Sequence, residues 1–357
     1  MPDIEELRSR GEIGGRTVQI RADGNVECHT HEPAALPPDH VRVRTVRSAV
    51  SPGTESTFLG RAASNVHLAK RWNEDLRLFE VGGPSVTYPM PFGYRAVGVV
   101  VDSTAPSVSV GSRIWGNWRH TELVALPVAV AGDQLLPDQL SWDDGVDIAQ
   151  MGPICLNAVA FGDGLQAGNP AVVFGAGPIG LITAQAVRAS GASSVVVVDR
   201  LPPRLAIAAD LGLETVEAAD DVDIAAVLKS RHGADGIPVA WECSGAVSAL
   251  NEAVRTVARR GSVVAVGFYQ GGAPSLLLGE EFHHNGIRIV CGQIGNPFGT
   301  LTRRDLQRRT LELVTDGQLV LGGLPRITLP VEQAADGFAL LARPESTLQV
   351  AFSYESV

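Results

Sequence analysis

The hydrophobic pattern of the chain changes near residue 157. Before it, short runs of alternating or β-branched residues are separated by Pro, Gly and Asp, as in residues 17–29, 40–50 and 122–127. Such alternation is typical of half-buried strands, so this part is expected to form a compact, partly barrelled β domain. After it, apolar runs of strand length alternate with helical periodicity, which predicts βαβ units, a parallel sheet and an α/β fold.

Two segments depart from this scheme. Residues 61–88 interrupt the β-rich part, and the apolar spacing within residues 67–81 predicts one amphipathic helix there. Near the end, residues 302–321 and 331–343 have helical periodicity, and residues 347–354 have a strand pattern. The α/β part is therefore followed by two helices and a final strand.

A glycine-rich turn follows the first buried strand of the α/β part. The segment VVFGAGPIG is a G-x-G-x-x-G that closes a strand and opens a helix, which is the context that dinucleotide binding requires. Gly175 is expected to make the tight turn, Gly177 to admit the pyrophosphate, and Gly180 to let helix and strand pack closely. Pro178 and Ile179 begin the helix, whose N-terminus offers unpaired N–H groups to phosphates.

The second strand of this part ends in Asp199, nineteen residues after Gly180. A carboxylate at that place accepts the ribose hydroxyls of adenosine and repels a 2′-phosphate, so the sequence favours NAD(H) over NADP(H). Arg200 and Arg204 weaken this preference, because a nearby guanidinium tolerates the phosphate. NAD is the predicted cofactor and NADP the less favoured one.

Two later turns follow strands of the same predicted sheet. Ser244 and Gly245 form one, and Gly267, Phe268 and Tyr269 form the other. Ligands of open α/β sheets lie at the carboxyl ends of the strands, so both turns are candidate cofactor contacts. The alternative is that they only connect strands to helices.

Composition and charge narrow the function classes. The 357 residues exceed what one hydrophobic core usually holds, so two domains are expected. The net charge of -10 and the lack of Lys/Arg runs argue against nucleic acid and anionic membranes as partners. No apolar stretch reaches membrane-spanning length and the charged N-terminus is unlike a signal peptide, so a cytoplasmic protein is expected. The four scattered cysteines supply neither a disulfide framework nor a structural zinc site.

Four motifs occur in the order in which a known family carries them: SPGTE at 51–55, GYRAVGVV at 93–100, HTELVALP at 120–127 and VVFGAGPIGLITAQ at 172–185. Along nearly its whole length the chain resembles the medium-chain dehydrogenase/reductase family. The resemblance implies a Rossmann domain, a doubly wound parallel sheet, over residues 157–300, and a β-rich GroES-like catalytic domain from residues 1–156 and 301–357. It also implies that nicotinamide and a small-molecule substrate meet between the domains, and that the protein is a homodimer or homotetramer.

The resemblance fails where zinc-dependent members of the family carry their metal ligands. Those members have Cys, then Gly-His-Glu, then Glu or Cys, at the places where this chain has Pro52, Gly93-Tyr94-Arg95 and Gln150. Proline cannot bind zinc, and tyrosine and glutamine are not usual ligands, so no metal is predicted. The chain is similar to a zinc-lacking branch that includes bacteriochlorophyllide-type hydroxyethyl dehydrogenases.

Without zinc, another group must stabilise the substrate oxygen during hydride transfer. Tyr94 is the candidate acid or base, and Arg95 is expected to lower its pKa. Thr54 matches the position of the family's proton-relay hydroxyl, and Glu55 completes the candidate catalytic set. The alternative is that Arg95 and Glu55 form an ion pair that fills the emptied metal pocket, with Tyr94 as its wall. His120 is interpreted as a structural residue at a strand end.

These features predict a zinc-independent, NAD(H)-preferring alcohol dehydrogenase or ketone reductase. An NADPH-dependent quinone or enone reductase is the first alternative, because it is the other common zinc-free chemistry of the family. A nucleotide-binding protein that has lost catalytic activity is the second.

Overall fold

The residues described by this computed structural model are 4–59, 64–343, 345 and 347–355. The chain divides into two compact units, Met1–Gln150 with Pro325–Val357, and Met151–Leu324. The first consists mainly of strands, and the second of alternating strands and helices. None of the described helices is long and apolar enough to cross a membrane.

Short strands build most of the first unit. In chain order they are β1 (Gly15–Ile20), β2 (Val26–His31), β3 (His40–Ala49), β4 (Lys70–Asn73), β5 (Leu78–Val81), β6 (Met90–Pro91), β7 (Ala96–Ser103), β8 (Arg113–Gly116) and β9 (Leu123–Pro127). The helices of this part are α1 (Ile4–Ser9), α2 (Pro52–Glu55), α3 (Val128–Gly132) and α4 (Trp142–Ala149). Along β3, Val41, Val43 and Thr45 are buried in alternation, which confirms that the alternating pattern produces these strands.

The helix predicted within residues 67–81 is wrong, because this segment contains the hairpin β4–β5. Trp72 lies opposite Phe79, and their rings pack edge to face with centroids 5.0 Å apart. The turn between the strands places Arg77 at a φ of 52°, a left-handed conformation foreign to a helix. Cross-strand aromatic pairing therefore outweighs the helical spacing of the apolar residues. The first residues of the insertion, 61–63, lie outside the described part of the chain.

Strands and helices alternate through the second unit. The strands are β10 (Pro170–Phe174), β11 (Ser194–Asp199), β12 (Glu214–Glu217), β13 (Val239–Glu242), β14 (Ser262–Ala265) and β15 (Arg288–Cys291). The helices are α5 (Met151–Ala160), α6 (Pro178–Ala189), α7 (Pro202–Asp210), α8 (Ile224–His232), α9 (Val247–Thr256), α10 (His283–Asn285) and α11 (Arg303–Thr315). Neighbouring strands pair in parallel in the order β12-β11-β10-β13-β14-β15, which is the doubly wound arrangement that was predicted.

The second unit extends further than the 157–300 predicted for it. Residues 151–156 belong to it because α5 packs against α6, and residues 301–324 belong to it because α11 packs against α5. Gly152 lies so close to Thr310 that an added Cβ would approach Thr310 Cγ2 to 2.1 Å. This close contact between α5 and α11 joins the two ends of the unit.

The chain returns to the first unit through β16 (Ile327–Pro330), α12 (Ala334–Leu341) and β17 (Val350–Ser353). The sheet there has the order β16-β17-β3-β7-β8, with β9 also paired to β3. β17 is antiparallel to β3, with Ala351 opposite Ala49. Phe338 of α12 packs against Phe92 at a ring distance of 5.9 Å in the core of this unit. The C-terminal return thus supports the end of β3, directly before Ser51–Glu55.

Candidate active site and nucleotide site

The glycine-rich turn joins β10 to α6, and each of its glycines meets a different demand. Gly175 has a φ of 98°, and a Cβ there would lie 2.9 Å from Ser244 N. At Gly180 a Cβ would lie 1.6 Å from the carbonyl oxygen of Gly175, so no side chain fits. At Gly177 a Cβ would have Arg204 Nη1 as its nearest neighbour, 3.8 Å away, which leaves the backbone open. An accessible backbone at a helix N-terminus is what a pyrophosphate requires.

Asp199 ends β11 and holds the glycine turn in place. Its Oδ2 accepts a hydrogen bond from Ala176 N at 2.6 Å, and its Oδ1 accepts one from Leu201 N at 2.9 Å. Each carboxylate oxygen has a second lone pair that can accept from a ribose hydroxyl. Pro178 takes the first position of α6 and Ile179 the second, as expected for this motif.

The two arginines after Asp199 differ in their surroundings. Arg204 borders the glycine turn at Gly177. Arg200 instead forms an ion pair with Asp220 at 3.3 Å, and the two side chains are 75% and 94% exposed. Of these two arginines, Arg204 is therefore the one that lies beside the glycine turn.

The predicted cofactor contacts of the two later turns are Ser244, Gly245, Gly267, Phe268 and Tyr269. The turns meet at the carboxyl ends of β13 and β14, and a Cβ on Gly267 would lie 2.4 Å from Gly245 Cα. Phe268 is 37% exposed, whereas the hydroxyl of Tyr269 donates a hydrogen bond to the buried Glu242. The two turns therefore contact each other, and the hydroxyl of Tyr269 is bound by the carboxylate of Glu242.

The hydroxyl of Tyr94 is held by the segment that contains α2. The side chains of Ser51 and Thr54 lower its pKa. Burial, and after it the negative charge of Glu55, raise the pKa of Tyr94 to about 12. Arg95 lowers the pKa of Tyr94, as expected, but this effect is smaller than those of burial and Glu55, so the pKa is raised overall. Tyr94 is a neutral phenol at neutral pH.

Arg95 is fully buried and pairs with Asp147 rather than with Glu55. Its Nε donates to Ala49 O at 3.0 Å, and its Nη2 donates to Val50 O at 2.5 Å. The alternative of an Arg95–Glu55 ion pair is therefore not what forms. The guanidinium instead holds the backbone that leads into α2, which is a supporting position rather than the catalytic one predicted.

Asp147 is the centre of a buried charge network. Its second oxygen accepts from Arg326 Nη2 at 2.5 Å, and the side chain of Asp147 is fully buried. Arg326 also reaches Asp143 at 2.9 Å, and Asp143 pairs with Arg47 at 3.0 Å. Together with Arg95, positive and negative groups alternate, so each buried charge has an opposite neighbour. The network joins α4, β3 and the C-terminal return.

Glu55 is only 3% exposed and faces His120. Its Oε2 lies 3.1 Å from His120 Nε2, and His120 Nδ1 lies 2.8 Å from Ser48 Oγ. Ser48 Oγ in turn lies 3.0 Å from the hydroxyl of Tyr354. The other oxygen of Glu55 is buried and has no hydrogen-bond partner among the described residues. His120 is thus part of the Tyr94 site and more than the strand-end residue that was predicted.

The close approach of Gly93 to His120 explains why the GYR motif begins with glycine. Gly93 has a φ of 97°, and a Cβ there would lie 2.4 Å from His120 N. A residue with a side chain therefore fits neither the backbone conformation nor the space. Glycine at this position lets the segment before Tyr94 lie against the segment between β8 and β9 that carries His120.

Comparison with known proteins agrees with this geometry. Residues 178–316 match the zinc-binding dehydrogenase family. (R,R)-butanediol dehydrogenase of Bacillus subtilis is 30% identical over 220 residues, which are 60% of this chain and 59% of that protein. D-guloside 3-dehydrogenase of Escherichia coli is 28% identical over 304 residues, 81% of this chain and 85% of that protein. The crystal structure of 2R,3R-butanediol dehydrogenase from Bacillus subtilis superposes with a TM-score of 0.77 at 20% identity, over 95% of this chain and 99% of that one.

These similarities support a member of the medium-chain dehydrogenase/reductase family. The chain spans about three fifths of the Bacillus subtilis relative by sequence, 59%, whereas the likeness in fold extends over 95% of the chain. The second unit has the parallel Rossmann sheet and the first has the GroES-like strands, as the resemblance implied.

The positions at which zinc-dependent members of that family carry their metal ligands hold residues that do not fit zinc. Pro52 begins α2, and the hydroxyl of Tyr94 is engaged by its neighbours. Gln150 Oε1 accepts from Asn117 Nδ2 at 3.0 Å. Among the described residues, no three His, Cys, Asp or Glu side chains cluster closely enough to hold a metal ion. The donor set differs from the Cys, His and carboxylate ligands that zinc prefers.

Three polar residues of these sites were missed or assigned a lesser role by the motifs: His120, Asp147 and Glu242. Asp147 and Glu242 each lie in an apolar element, and a charged group in such a place indicates a buried partner, whereas His120 lies between β8 and β9 and carries no such signal. Asp147 stands between the buried Val146 and Ile148 in α4, and Glu242 ends the otherwise apolar β13. This signal identifies the residue, but the partner is known only from the fold.

Proposed function

We propose that the protein is a zinc-independent oxidoreductase that prefers NAD(H) and transfers a hydride between nicotinamide and a secondary alcohol or ketone. The observation that carries the proposal is Asp199 at the side of an open glycine turn. The names of the relatives, a butanediol dehydrogenase and a guloside dehydrogenase, support an alcohol or ketone as the substrate. We assign the dinucleotide to the second unit and the catalytic side chains to the first.

Tyr94 is the group that we assign to the substrate oxygen. Bound NAD(H) supplies or accepts the hydride. The raised pKa of Tyr94 keeps its phenol protonated. Tyr94 can therefore donate a hydrogen bond to a ketone oxygen and then its proton to the alkoxide. Ser51 and Thr54 act on its hydroxyl, and Thr54 offers a hydroxyl through which the proton can be replaced.

Glu55 and His120 form a buried acid–base pair in the same site. His120 orients one carboxylate oxygen, and the other is left without a partner among the described residues. In alcohol oxidation the substrate proton has to leave, and a carboxylate paired with a histidine can hold it. Arg95 supports this arrangement indirectly, because its Nε donates a hydrogen bond to the backbone oxygen of Ala49, before α2.

Zinc has no part in this scheme, because the Tyr94 hydroxyl takes over the stabilisation of the substrate oxygen. Elemental analysis after purification is expected to find well below one zinc per subunit, and EDTA is expected to leave turnover unchanged. Near-stoichiometric zinc together with turnover that EDTA abolishes would contradict the proposal.

The experiment that tests the function combines cofactor binding with turnover. Binding of NADH and NADPH is measured by fluorescence, and turnover is measured with a panel of secondary alcohols, ketones, quinones and enones. NADH is expected to bind at least about tenfold more tightly, since the adenosine ribose retains its contacts only without the 2′-phosphate. Turnover is expected with alcohols and ketones.

A second candidate is an NADPH-dependent quinone or enone reductase. Arg204 favours it, because its guanidinium borders the glycine turn at Gly177. Preference for NADPH with turnover of enones or quinones would support this candidate. Tight NADH binding without turnover across the panel would instead support a nucleotide-binding protein without catalytic activity.

Assembly and location rest on the family resemblance and on composition. A homodimer or homotetramer, the lack of nucleic-acid partners and a cytoplasmic location stay predictions. Light scattering after size-exclusion chromatography tests the first of them.

A further inference from the structure

Glu242 lies at the carboxyl end of β13, within the proposed dinucleotide site. It is opposite Phe174 of β10 on one side and Ala265 of β14 on the other. The turns that follow these three parallel strands therefore lie at one edge of the sheet. Dinucleotides bind at this edge of open α/β sheets.

The side chain of Glu242 is fully buried and ties the two later turns together. Its Oε1 accepts hydrogen bonds from Ser244 N, at 2.7 Å, and from Ser244 Oγ. Its Oε2 accepts from Gly245 N, at 3.1 Å, and from the hydroxyl of Tyr269. Its backbone oxygen accepts from Gly267 N at 3.0 Å. One residue thus holds the turn after β13 and the turn after β14.

No side chain separates these two turns. A Cβ on Gly267 would lie 2.4 Å from Gly245 N and 2.9 Å from Glu242 Oε2. The shape of this part of the site therefore depends on the hydrogen bonds of Glu242 and on direct backbone contact. Removing one of those hydrogen bonds leaves a buried polar group unsatisfied, which is costlier than losing an exposed one.

The carboxylate has donors around it but no cation. Among the described residues, no Lys, Arg or His side chain forms an ion pair with Glu242, and its partners are neutral N–H and O–H groups. Burial raises the pKa of Glu242, and the hydrogen bonds from Ser244, Tyr269 and Gly245 counter that rise. A buried negative charge without a cationic partner favours a ligand that brings a positive charge.

We propose that Glu242 and Tyr269 are positioning residues of the dinucleotide site. They fix the turns at Ser244–Gly245 and Gly267 as one binding surface, and the Glu242 carboxylate favours the oxidised nicotinamide, which is cationic, over the reduced one. Tyr269 acts through Glu242, to which its hydroxyl is directed, rather than as the cofactor contact that the sequence predicted. The inference rests on the proposed dinucleotide site and adds the residues that shape it.

The test compares Glu242→Gln, Tyr269→Phe and the matched control Tyr88→Phe, which removes a hydroxyl in the first unit. Dissociation constants for NAD+ and NADH are measured by calorimetry, and Tm is measured without ligand. Glu242→Gln is expected to weaken both forms, because its amide nitrogen cannot accept two of the four hydrogen bonds, and to weaken NAD+ at least about threefold more than NADH, because it also removes the charge. Tyr269→Phe is expected to weaken both about three- to tenfold with an unchanged ratio. Tyr88→Phe should change neither.

Several outcomes would overturn the proposal. Equal weakening of NAD+ and NADH by Glu242→Gln would remove the role of the charge. Unchanged affinities in Tyr269→Phe would remove the positioning role, and this holds even where Glu242→Gln does not fold. Failure of the unsubstituted protein to bind either form would contradict the proposed dinucleotide function itself, so the two failures are distinguishable.

Discussion

The glycine turn in the second unit and the polar cluster around Tyr94 in the first are held in place by contacts of different range. The hydrogen bond from Ala176 to Asp199 joins residues 23 positions apart, whereas the one between Ser48 and Tyr354 joins residues 306 positions apart. The glycine turn is held by its backbone conformation and by the carboxylate of Asp199. Around Tyr94, the geometry exists only when distant parts of the chain have packed. The hydrogen bonds of the glycine turn should therefore tolerate changes in distant parts of the chain better than the cluster around Tyr94 does.

Asp147→Ala should give the largest effect, because it breaks the long-range network at its centre. The substitution leaves Arg95 and Arg326 buried without their carboxylate, and we expect a loss of about 3–5 kcal/mol in the free energy of unfolding of the first unit. Denaturant unfolding followed by tryptophan fluorescence measures it. A loss below about 1 kcal/mol would show that the network does not hold the site.

Tyr94→Phe tests the chemistry of the same cluster without removing a charge. The ring still fills its space, but the hydroxyl is gone. We expect kcat for ketone reduction to fall at least about a hundredfold, while the dissociation constant of NADH stays the same. Steady-state kinetics and fluorescence titration provide both values. Near-normal turnover would make Tyr94 only a wall of the pocket.

Asp199→Ala probes the short-range site. It removes the acceptor for a ribose hydroxyl and the bond from Ala176 N, so NADH affinity should fall about tenfold. NADPH affinity should fall less or rise, because the repulsion of the 2′-phosphate is removed as well. The ratio of the two dissociation constants is the readout, and a constant ratio would argue against Asp199 as the selecting group.

Glu55→Gln tests whether the negative charge of Glu55 influences the pH at which Tyr94 ionises. In the unsubstituted protein Tyr94 keeps its proton until the pH approaches about 12, so reduction should not slow through its ionisation below about pH 10. The charge of Glu55 raises this pKa, so removing it should move the decline in kcat to lower pH. The pH profile of kcat and a tyrosinate absorbance titration check this. Tyr94→Phe, as the control, should lack the decline.

Asp220→Asn should have the smallest effect. Its pair with Arg200 is exposed on both sides, and such pairs contribute little to stability. We expect Tm to change by no more than about 1 °C, measured by calorimetry. A larger shift would mean that exposed charges near the turn matter more than its backbone geometry.

Much of the fold could be predicted because the period of the hydrophobic pattern is a local property. Alternation along β3 and the strand–helix alternation of the second unit both follow from it. The hairpin β4–β5 could not be predicted, because its decisive contact is between Trp72 and Phe79 across the strands. The limits of the second unit also depend on a distant contact, the one between Gly152 and Thr310.

The sites divide in the same way. The glycine turn and Asp199 could be recognised because the spacing of these residues along the chain predicts how they are arranged in the fold. Tyr94 could be singled out from its motif, but the partner of Arg95 could not, since Asp147 and Glu55 are both carboxylates at a distance in sequence. Only burial and packing of α4 decide between them.

The C-terminal return also sets an order for protein synthesis. Residues 151–324 form the second unit without later sequence, so this unit can fold as soon as it leaves the ribosome. The first unit lacks β17 and Arg326 until residues 325–357 have been made, and until then Asp147 has only part of its network. We expect a chain that ends before residue 325 to contain a protease-resistant second unit and an incompletely folded first unit that binds chaperones.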